Sequence, residues 1–386
     1  MHPKVSIVIV NLNRAALTLD CVKSIVAHTE RDLYEVIVVD NGSAAAETEK
    51  LVQASHQFKL IPLDRNMFFG EASNIGAEHG SGDYVLFLNN DVKVTAGWLD
   101  ALLAVLNTEY RAGAAGPKIV YPNGELQEAG CVVRPDGWGV QIGKSGMELP
   151  LSFIDATRIV DYCSGSCLLM RRRVFLDLGG FDPIFDPAYF EDVDLAIRLR
   201  SIGLFTYYCG GATVCHEESV TSNRIWSAER RREYIRINHD RLLTRWGAYL
   251  RGRLDEDREP TALAPIAWSP EPALADANSI VLYCSTPPDG GMLGRSLLQT
   301  AVAFQDVLEI VIAADEIFSR CRIYSLCREF GLSLRSFQVR KISEVDQSTS
   351  KLFVTFDKAL PSQFAGRQFA FPGGGQALVR FLEDFA

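Results

Sequence analysis

Short apolar runs alternate with amphipathic stretches through the first hundred residues. Residues 5–10 (Val-Ser-Ile-Val-Ile-Val), 35–40 (Glu-Val-Ile-Val-Val-Asp), 58–62 and 84–88 (Tyr-Val-Leu-Phe-Leu) predict strands, with a helix over 17–27 between the first two. Strands that alternate with helices imply βαβ units and a mainly parallel sheet. These runs are apolar at consecutive positions, as expected for strands covered by helices on both faces. In such sheets ligands bind beyond the carboxyl ends of the strands. Asp40 and Asp91 both follow predicted strands and are therefore candidates for one crevice.

The region over 110–220 reads as more irregular, with turn signals at Pro122-Asn-Gly124 and Arg134-Pro-Asp-Gly137. Order resumes with a strand over 167–170, a helix over 192–202, a strand over 207–216 and an Arg-rich helix over 225–253. Prolines 260, 265, 270 and 272 mark a linker, followed by strand-like runs at 279–283, 308–312 and 351–355. The expected organisation is thus 1–258 with an Arg-rich extension over 224–253, a linker over 259–277, and a small α/β domain over 278–386.

Composition narrows the class. The 386 residues are 47% hydrophobic and 23% charged, with a formal charge of −9, which excludes a disordered chain and a general nucleic-acid binder. No apolar run approaches the roughly 18 residues of a membrane span, and 5–10 is too short for a signal-peptide core. A cytoplasmic location and reduced thiols for the nine cysteines are the expectation. Cys163, Cys167, Cys209, Cys215 and His216 match no common zinc spacing.

Three segments carry the candidate chemistry. Val38-Val-Asp40-Asn-Gly-Ser43 puts a carboxylate at a strand end, where it can accept hydrogen bonds from a ribose or base, although Asp-Asn-Gly also reads as a plain turn. Asn66 to Gly76, followed by Leu88-Asn-Asn-Asp91, offers a carboxylate that can hold a hard divalent cation against a diphosphate; it can equally cap a following helix. Glu191-Asp192-Val-Asp194 places three acids at a predicted helix start, which the helix dipole alone would favour. Side chains at 191 and 192 point in different directions, so different partners are expected. His216 ends a later strand, where a lone histidine is more often structural than a ligand.

Taken in order, residues 5–13, 38–43, 66–76, 88–92, 116–118, 165–173, 180–182, 191–195 and 214–216 resemble the family 2 glycosyltransferases of GT-A fold, and most closely their rhamnosyltransferase-like branch. The resemblance implies an α/β, doubly wound, mostly parallel sheet and an inverting hexosyltransferase acting in bacterial cell-surface polysaccharide synthesis. It places Asn11, Asp40, Asn66, Gly70, Asn74, Asn90 and Asp91 at a nucleoside-diphosphate sugar, UDP- or dTDP-linked. Asp91 and His216 would hold Mg2+ or Mn2+; Asn89 stands where the family has the first acid of its Asp-x-Asp motif. Asp192 matches the catalytic base and Glu191 a supporting group, with a saccharide or lipid-linked acceptor.

Two other readings stand beside it. A sugar-nucleotide nucleotidyltransferase normally has a Gly-rich basic loop after the first strand, where this chain has Asn11-Leu-Asn-Arg-Ala. A catalytically silent scaffold of a polysaccharide-assembly complex has no chemical need for Asp91, Glu191, Asp192 and His216. The stretch over 224–253 holds nine arginines against three acids. Its apolar residues at helical spacing predict packing on its own domain, or peripheral contact with anionic lipid at the inner face of the membrane.

Overall fold

The computed structural model describes residues 4–144, 149–217 and 226–252, together with strands at 279–283, 309–313, 337–340, 350–355 and 368–370. By contacts the chain falls into two units, Met1–Arg200 with Leu204–Thr244, and Ser201–Gly203 with Arg245–Ala386. The expected linker over 259–277 lies outside the described residues.

The first unit begins as the hydrophobic pattern predicts, with β1 (Val5–Asn11), α1 (Ala15–His28), β2 (Tyr34–Asp40), α2 (Ala45–Gln53), β3 (Lys59–Pro62), α3 (Phe68–Glu78) and β4 (Tyr84–Leu88). Strands β1 and β2 are buried along nearly their whole length, because helices cover both faces. In α1 the buried residues are Ala15, Thr18, Cys21, Val22 and Ile25, a single stripe at helical spacing. After β5 (Val92–Val94) and α4 (Trp98–Thr108) comes β6 (Ala112–Val120). Then follow β7 (Leu126–Glu128), β8 (Cys131–Val133), β9 (Gly139–Gln141), α5 (Leu151–Ile154), β10 (Arg158–Val160) and β11 (Cys167–Arg171). The unit closes with α6 (Arg172–Asp177), α7 (Glu191–Ser201), β12 (Phe205–His216) and most of α8 (Ala228–Gly252).

The main sheet runs β10-β12-β6-β11-β4-β1-β2-β3, with β5 and β7 attached at β12 and β6. Its β4-β1-β2-β3 half is parallel. Its other half is mixed: β11 is antiparallel to both β4 and β6, whereas β12 is parallel to β6. The expected irregular middle therefore contains a nine-residue central strand, β6. Its sequence, Ala-Gly-Ala-Ala-Gly-Pro-Lys-Ile-Val, lacks the β-branched run that marks a strand. Small residues are needed there because Leu199 and Leu204 press on Gly113, each 2.8 Å from where a Cβ would stand.

In the second unit the described strands β13 (Ser279–Tyr283), β14 (Glu309–Ala313), β15 (Phe337–Arg340), β16 (Ser350–Thr355) and β17 (Gln368–Ala370) form one parallel sheet in the order β15-β14-β13-β16-β17. A parallel sheet agrees with the α/β class expected for this part of the chain.

Candidate active site

The carboxyl ends of β1 and β2 meet side by side, with Asn11 paired to Asp40 in register. Asn11 Nδ2 donates to Asp40 Oδ1 (2.9 Å) and its Oδ1 accepts from Thr18 Oγ1 (2.8 Å). Ser43 Oγ also donates to Asp40 Oδ1, and Thr48 Oγ1 donates to Oδ2 (2.5 Å). Asn90 Nδ2 joins the same network by donating to Thr18 Oγ1 (3.2 Å). Asn11, Asp40 and Asn90 thus share one buried polar cluster at the strand ends. Fully partnered buried polar groups of this kind fix one geometry.

Asn41, read in the sequence only as part of a turn, fastens the next loop. Its Nδ2 donates to Asn66 Oδ1 and Phe68 O (both 3.0 Å), and its Oδ1 accepts from Met67 N (2.7 Å). Asn66 is therefore held next to the Asp40 cluster. Gly70 and Asn74 face another way. The two amide atoms of Asn74 close on the backbone of Phe181, Nδ2 to its O and Oδ1 to its N (both 2.8 Å). A Cβ on Gly70 would stand 3.3 Å from Phe181 Cβ. In α3 these two positions join the helix to the loop that precedes α7.

The run Asn89-Asn90-Asp91 caps no helix, because β5 follows it. Strand β5 pairs antiparallel with the end of β12, with Val92 opposite His216. That pairing brings Asp91 and His216 together across 125 residues of sequence by their numbering. His216 Nε2 lies 3.2 Å from Asp91 Oδ1, and both residues are buried. The alignment is too poor for a hydrogen bond, and Nε2 has no hydrogen-bond partner among the described residues. His216 Nδ1 is 2.8 Å from Gln127 Oε1, an acceptor, so Nδ1 is the donor in this contact. Nε2 is thereby turned toward the Asp91 carboxylate. A carboxylate oxygen and an imidazole nitrogen facing each other at this distance suit a shared divalent cation, and Gln127 orients the ring as an outer partner does in metal sites. Among the described residues no cluster of three or more His, Cys, Asp or Glu forms a cage. Water and phosphate oxygens would complete such a shell.

Strand β11 brings the third part. Cys167 pairs with Leu88, so the turn before it runs beside the Asn89 loop, and Asn89 N donates to Ser166 O (2.8 Å). From the same turn, Gly165 N donates to Asp192 Oδ2 (3.2 Å). Asp192 Oδ1 accepts from Val193 N (2.8 Å). The turn over 164–166 thus links the Asp91 loop to Asp192. Burial pushes the Asp192 carboxyl above the usual range, opposed by these two backbone donors and reinforced by the charge of Glu128. Burial also raises Glu191, followed by the charge of Asp192, and the buried Glu191 Oε2 has no hydrogen-bond partner among the described residues. As expected, the two neighbours have different surroundings.

The third acid of the run is structural. Asp194 Oδ2 accepts from Arg198 Nε (2.7 Å), with both side chains fully buried. Just before α7, Tyr189 and Phe190 have φ of 78° and 74°, a left-handed conformation rare for bulky residues. Asn238 of α8 holds that turn by donating to the carbonyls of Phe185 (2.5 Å), Ala188 (2.8 Å) and Tyr189 (3.4 Å). Arg241 donates to Ile184 O (2.6 Å). Through Asn238 and Arg241, the first part of α8 therefore packs on the first unit and holds the turn before Glu191 and Asp192.

Glu128 carried no sequence signal, because it lies in the segment read as irregular. It is fully buried on β7, where Oε1 accepts from Ser164 N (3.1 Å) and Oε2 from Gln141 Nε2 (3.0 Å). Replacing it with Gln removes a charge that raises Asp192. The acid limb of any pH–rate profile set by Asp192 should then move to lower pH. An unmoved limb in the Glu128→Gln protein would rule out this electrostatic link.

Comparison with known proteins identifies the family. The family profile "Glycosyl transferase family 2" matches residues 6–179. The chain is 32% identical over 226 residues to "O-antigen biosynthesis protein RfbC" of Myxococcus xanthus, covering 57% of this chain and 18% of that relative. The chain thus spans less than a fifth of that protein's length. It is 31% identical over 223 residues to "N-acetylglucosaminyl-diphospho-decaprenol L-rhamnosyltransferase" of Mycobacterium tuberculosis, covering 51% of this chain and 70% of the relative. A solved structure of GalNAc-T7 with UDP, GalNAc and Mn2+ aligns with TM-score 0.47 at 17% identity, over 55% of this chain and 44% of that one. With the profile match and a relative of this identity aligned over more than two thirds of its length, the chain belongs to glycosyltransferase family 2.

Proposed function

We propose that the chain transfers a sugar from a nucleoside-diphosphate donor to a hydroxyl acceptor, with inversion at the sugar carbon, in bacterial surface polysaccharide synthesis. The observation that supports this best is the joining of the Asp91–His216 pair and Asp192 through one turn, Ser164 to Ser166. Asp192 removes the acceptor hydroxyl proton as that oxygen attacks the anomeric carbon from the face opposite the diphosphate. One direct displacement inverts the configuration. Gly165 N holds the base carboxylate in place, and Glu191 supports it or contacts the acceptor. The Asn11–Asp40 cluster with Asn66 and Asn90 forms the nucleoside end of the donor site. Asp91 and His216 are the residues to hold Mg2+ or Mn2+. Such a cation, when bound, supplies charge neutralisation for the departing diphosphate.

The reading is tested by donor hydrolysis across UDP-, dTDP- and GDP-sugars, combined with calorimetric titration of the matching nucleoside diphosphate. Turnover of at least one donor is expected, together with nucleotide binding that Mn2+ strengthens and Asp91→Asn uncouples from the metal. No hydrolysis and no nucleotide binding in any arm would remove the transferase assignment. Equal nucleotide affinity with and without Mn2+ would remove the metal role.

The exposed arginines 230, 232 and 236 on α8 support a peripheral contact with anionic lipid at the inner face of the membrane, where a lipid-linked acceptor would lie. Among the described residues no helix is long and apolar enough to cross a membrane. Co-sedimentation with liposomes should rise with the anionic fraction and fall for the triple Arg→Ala variant; indifference to lipid charge would exclude this contact.

A further inference from the structure

One large aromatic side chain at the surface, close to a candidate catalytic pair, is held from behind by a stacked ring and a tightly bonded loop, and an indole suits a place where one side is apolar and the other wet. Trp138 is 42% exposed. Its loop is tightly built. Gly137 N donates to Arg134 O (2.9 Å), Arg134 N to Trp138 O (2.8 Å), and Trp138 N to Asp136 Oδ1 (3.2 Å). Gly137 takes φ of 84°, which a side chain would resist. Behind the indole, the His239 imidazole is stacked at 4.3 Å with 15° between planes. His239 is itself anchored, with Nε2 2.6 Å from Asp136 O. The indole also reaches the Phe190 ring at 6.0 Å, and Phe190 directly precedes Glu191.

We propose that Trp138, backed by His239, is a stacking platform for a pyranose ring of the saccharide acceptor. The inference rests on the transferase reading above and adds the acceptor subsite that reading leaves undefined. A pyranose has a flat C–H face and a rim of hydroxyls. The indole supplies the complementary flat surface. Next to it, Arg134 and Asp136 face each other at 3.3 Å and are 60% and 48% exposed, which supplies a donor and an acceptor for the hydroxyl rim. The platform is formed before any ligand arrives, so little ordering opposes binding. Its contact with Phe190 ties it to the helix that carries Asp192. The donor nucleoside residues belong to a separate cluster at the ends of β1 and β2.

Octyl β-D-glucopyranoside, below its micellar concentration, is a probe with a sugar ring and an alkyl chain in one molecule. Saturation-transfer NMR on the full chain should show transfer to the ring protons. In Trp138→Ala that ring signal should drop about tenfold, and Trp138→Phe should keep part of it, with unchanged far-ultraviolet circular dichroism in both. UDP and dTDP binding should be the same in all three proteins. Equal ring signals in wild type and Trp138→Ala, or none in the wild type, overturn the platform. Transfer confined to the alkyl protons overturns it in favour of a lipid-tail site. Loss of nucleotide binding in the wild type would instead strike the transferase reading, while the ring signal still reports on Trp138.

Discussion

Asp192→Asn should lower sugar transfer by roughly a hundred- to ten-thousand-fold, the usual contribution of a positioned general base. Asparagine is nearly isosteric, and its carbonyl oxygen can still accept from Gly165 N or Val193 N, so the turn over 164–166 keeps its place. Nucleoside-diphosphate affinity should therefore remain within about twofold, because the residues proposed for the nucleotide lie on other elements. Wild-type kcat/KM should fall on the acid side as Asp192, held above the usual carboxylate range by burial, takes its proton. The same shift makes a stability prediction. A carboxyl raised in the folded state binds more protons than its unfolded counterpart between the two pKa values, so its contribution lowers stability as pH rises through that window. Removing the charge should raise Tm, and more at pH 8 than near pH 3, below both pKa values, where the carboxyl is largely neutral in both states. A variant that is inactive yet more thermostable at pH 8 is the expected signature. Near wild-type transfer by Asp192→Asn would take Asp192 out of the base role.

Much of this arrangement was legible from the residues, for reasons that can be stated. Strands β1, β2 and β4 are largely apolar runs that end in, or lead straight into, polar residues, so the pattern exposes both the strand and its polar end. By contrast, β6 is central but built from alanine and glycine, and its strand character comes from neighbours far away in sequence. Glu128 and Gln127 sit on a three-residue strand whose meaning depends on where it docks. Neighbourhood in space separates Asp192 from Asp194 as well. Both open one helix, but only Asp194 faces the arginine one turn on. The two donor-site candidates on α3, Gly70 and Asn74, carry a motif that reads as ligand-lining, yet their visible contacts are with Phe181.

Arg198→Ala should cost about 3–5 kcal/mol, the range for breaking a buried ion pair by removing one partner. The Arg198 guanidinium does three things at once in a site with no solvent exposure. Nε donates to Asp194, Nη1 to Leu178 O (2.9 Å) and Nη2 to Gly180 O (2.8 Å). Alanine leaves the Asp194 charge buried without this cation and takes the donor from two carbonyls. Lysine cannot restore the set, since one ammonium on a flexible stem does not reproduce a rigid fork. The double variant Asp194→Leu/Arg198→Met should recover part of the loss by removing the buried charge, but not all, because Leu178 O and Gly180 O still lack the donor. The exposed pair Arg236–Asp240, at 70% and 62% exposure, supplies the contrast, and Arg236→Ala should change stability by less than about 0.5 kcal/mol. Urea midpoints followed by circular dichroism measure all four proteins on one scale. The consequence extends to chemistry, because Gly180 is next to Phe181, which Asn74 grips and which packs against the helix of the donor-side loop. Partial unfolding there would loosen the start of α7 and with it the aim of Asp192. A loss below 1 kcal/mol for Arg198→Ala would mean that this cluster does not hold the base-bearing helix in place.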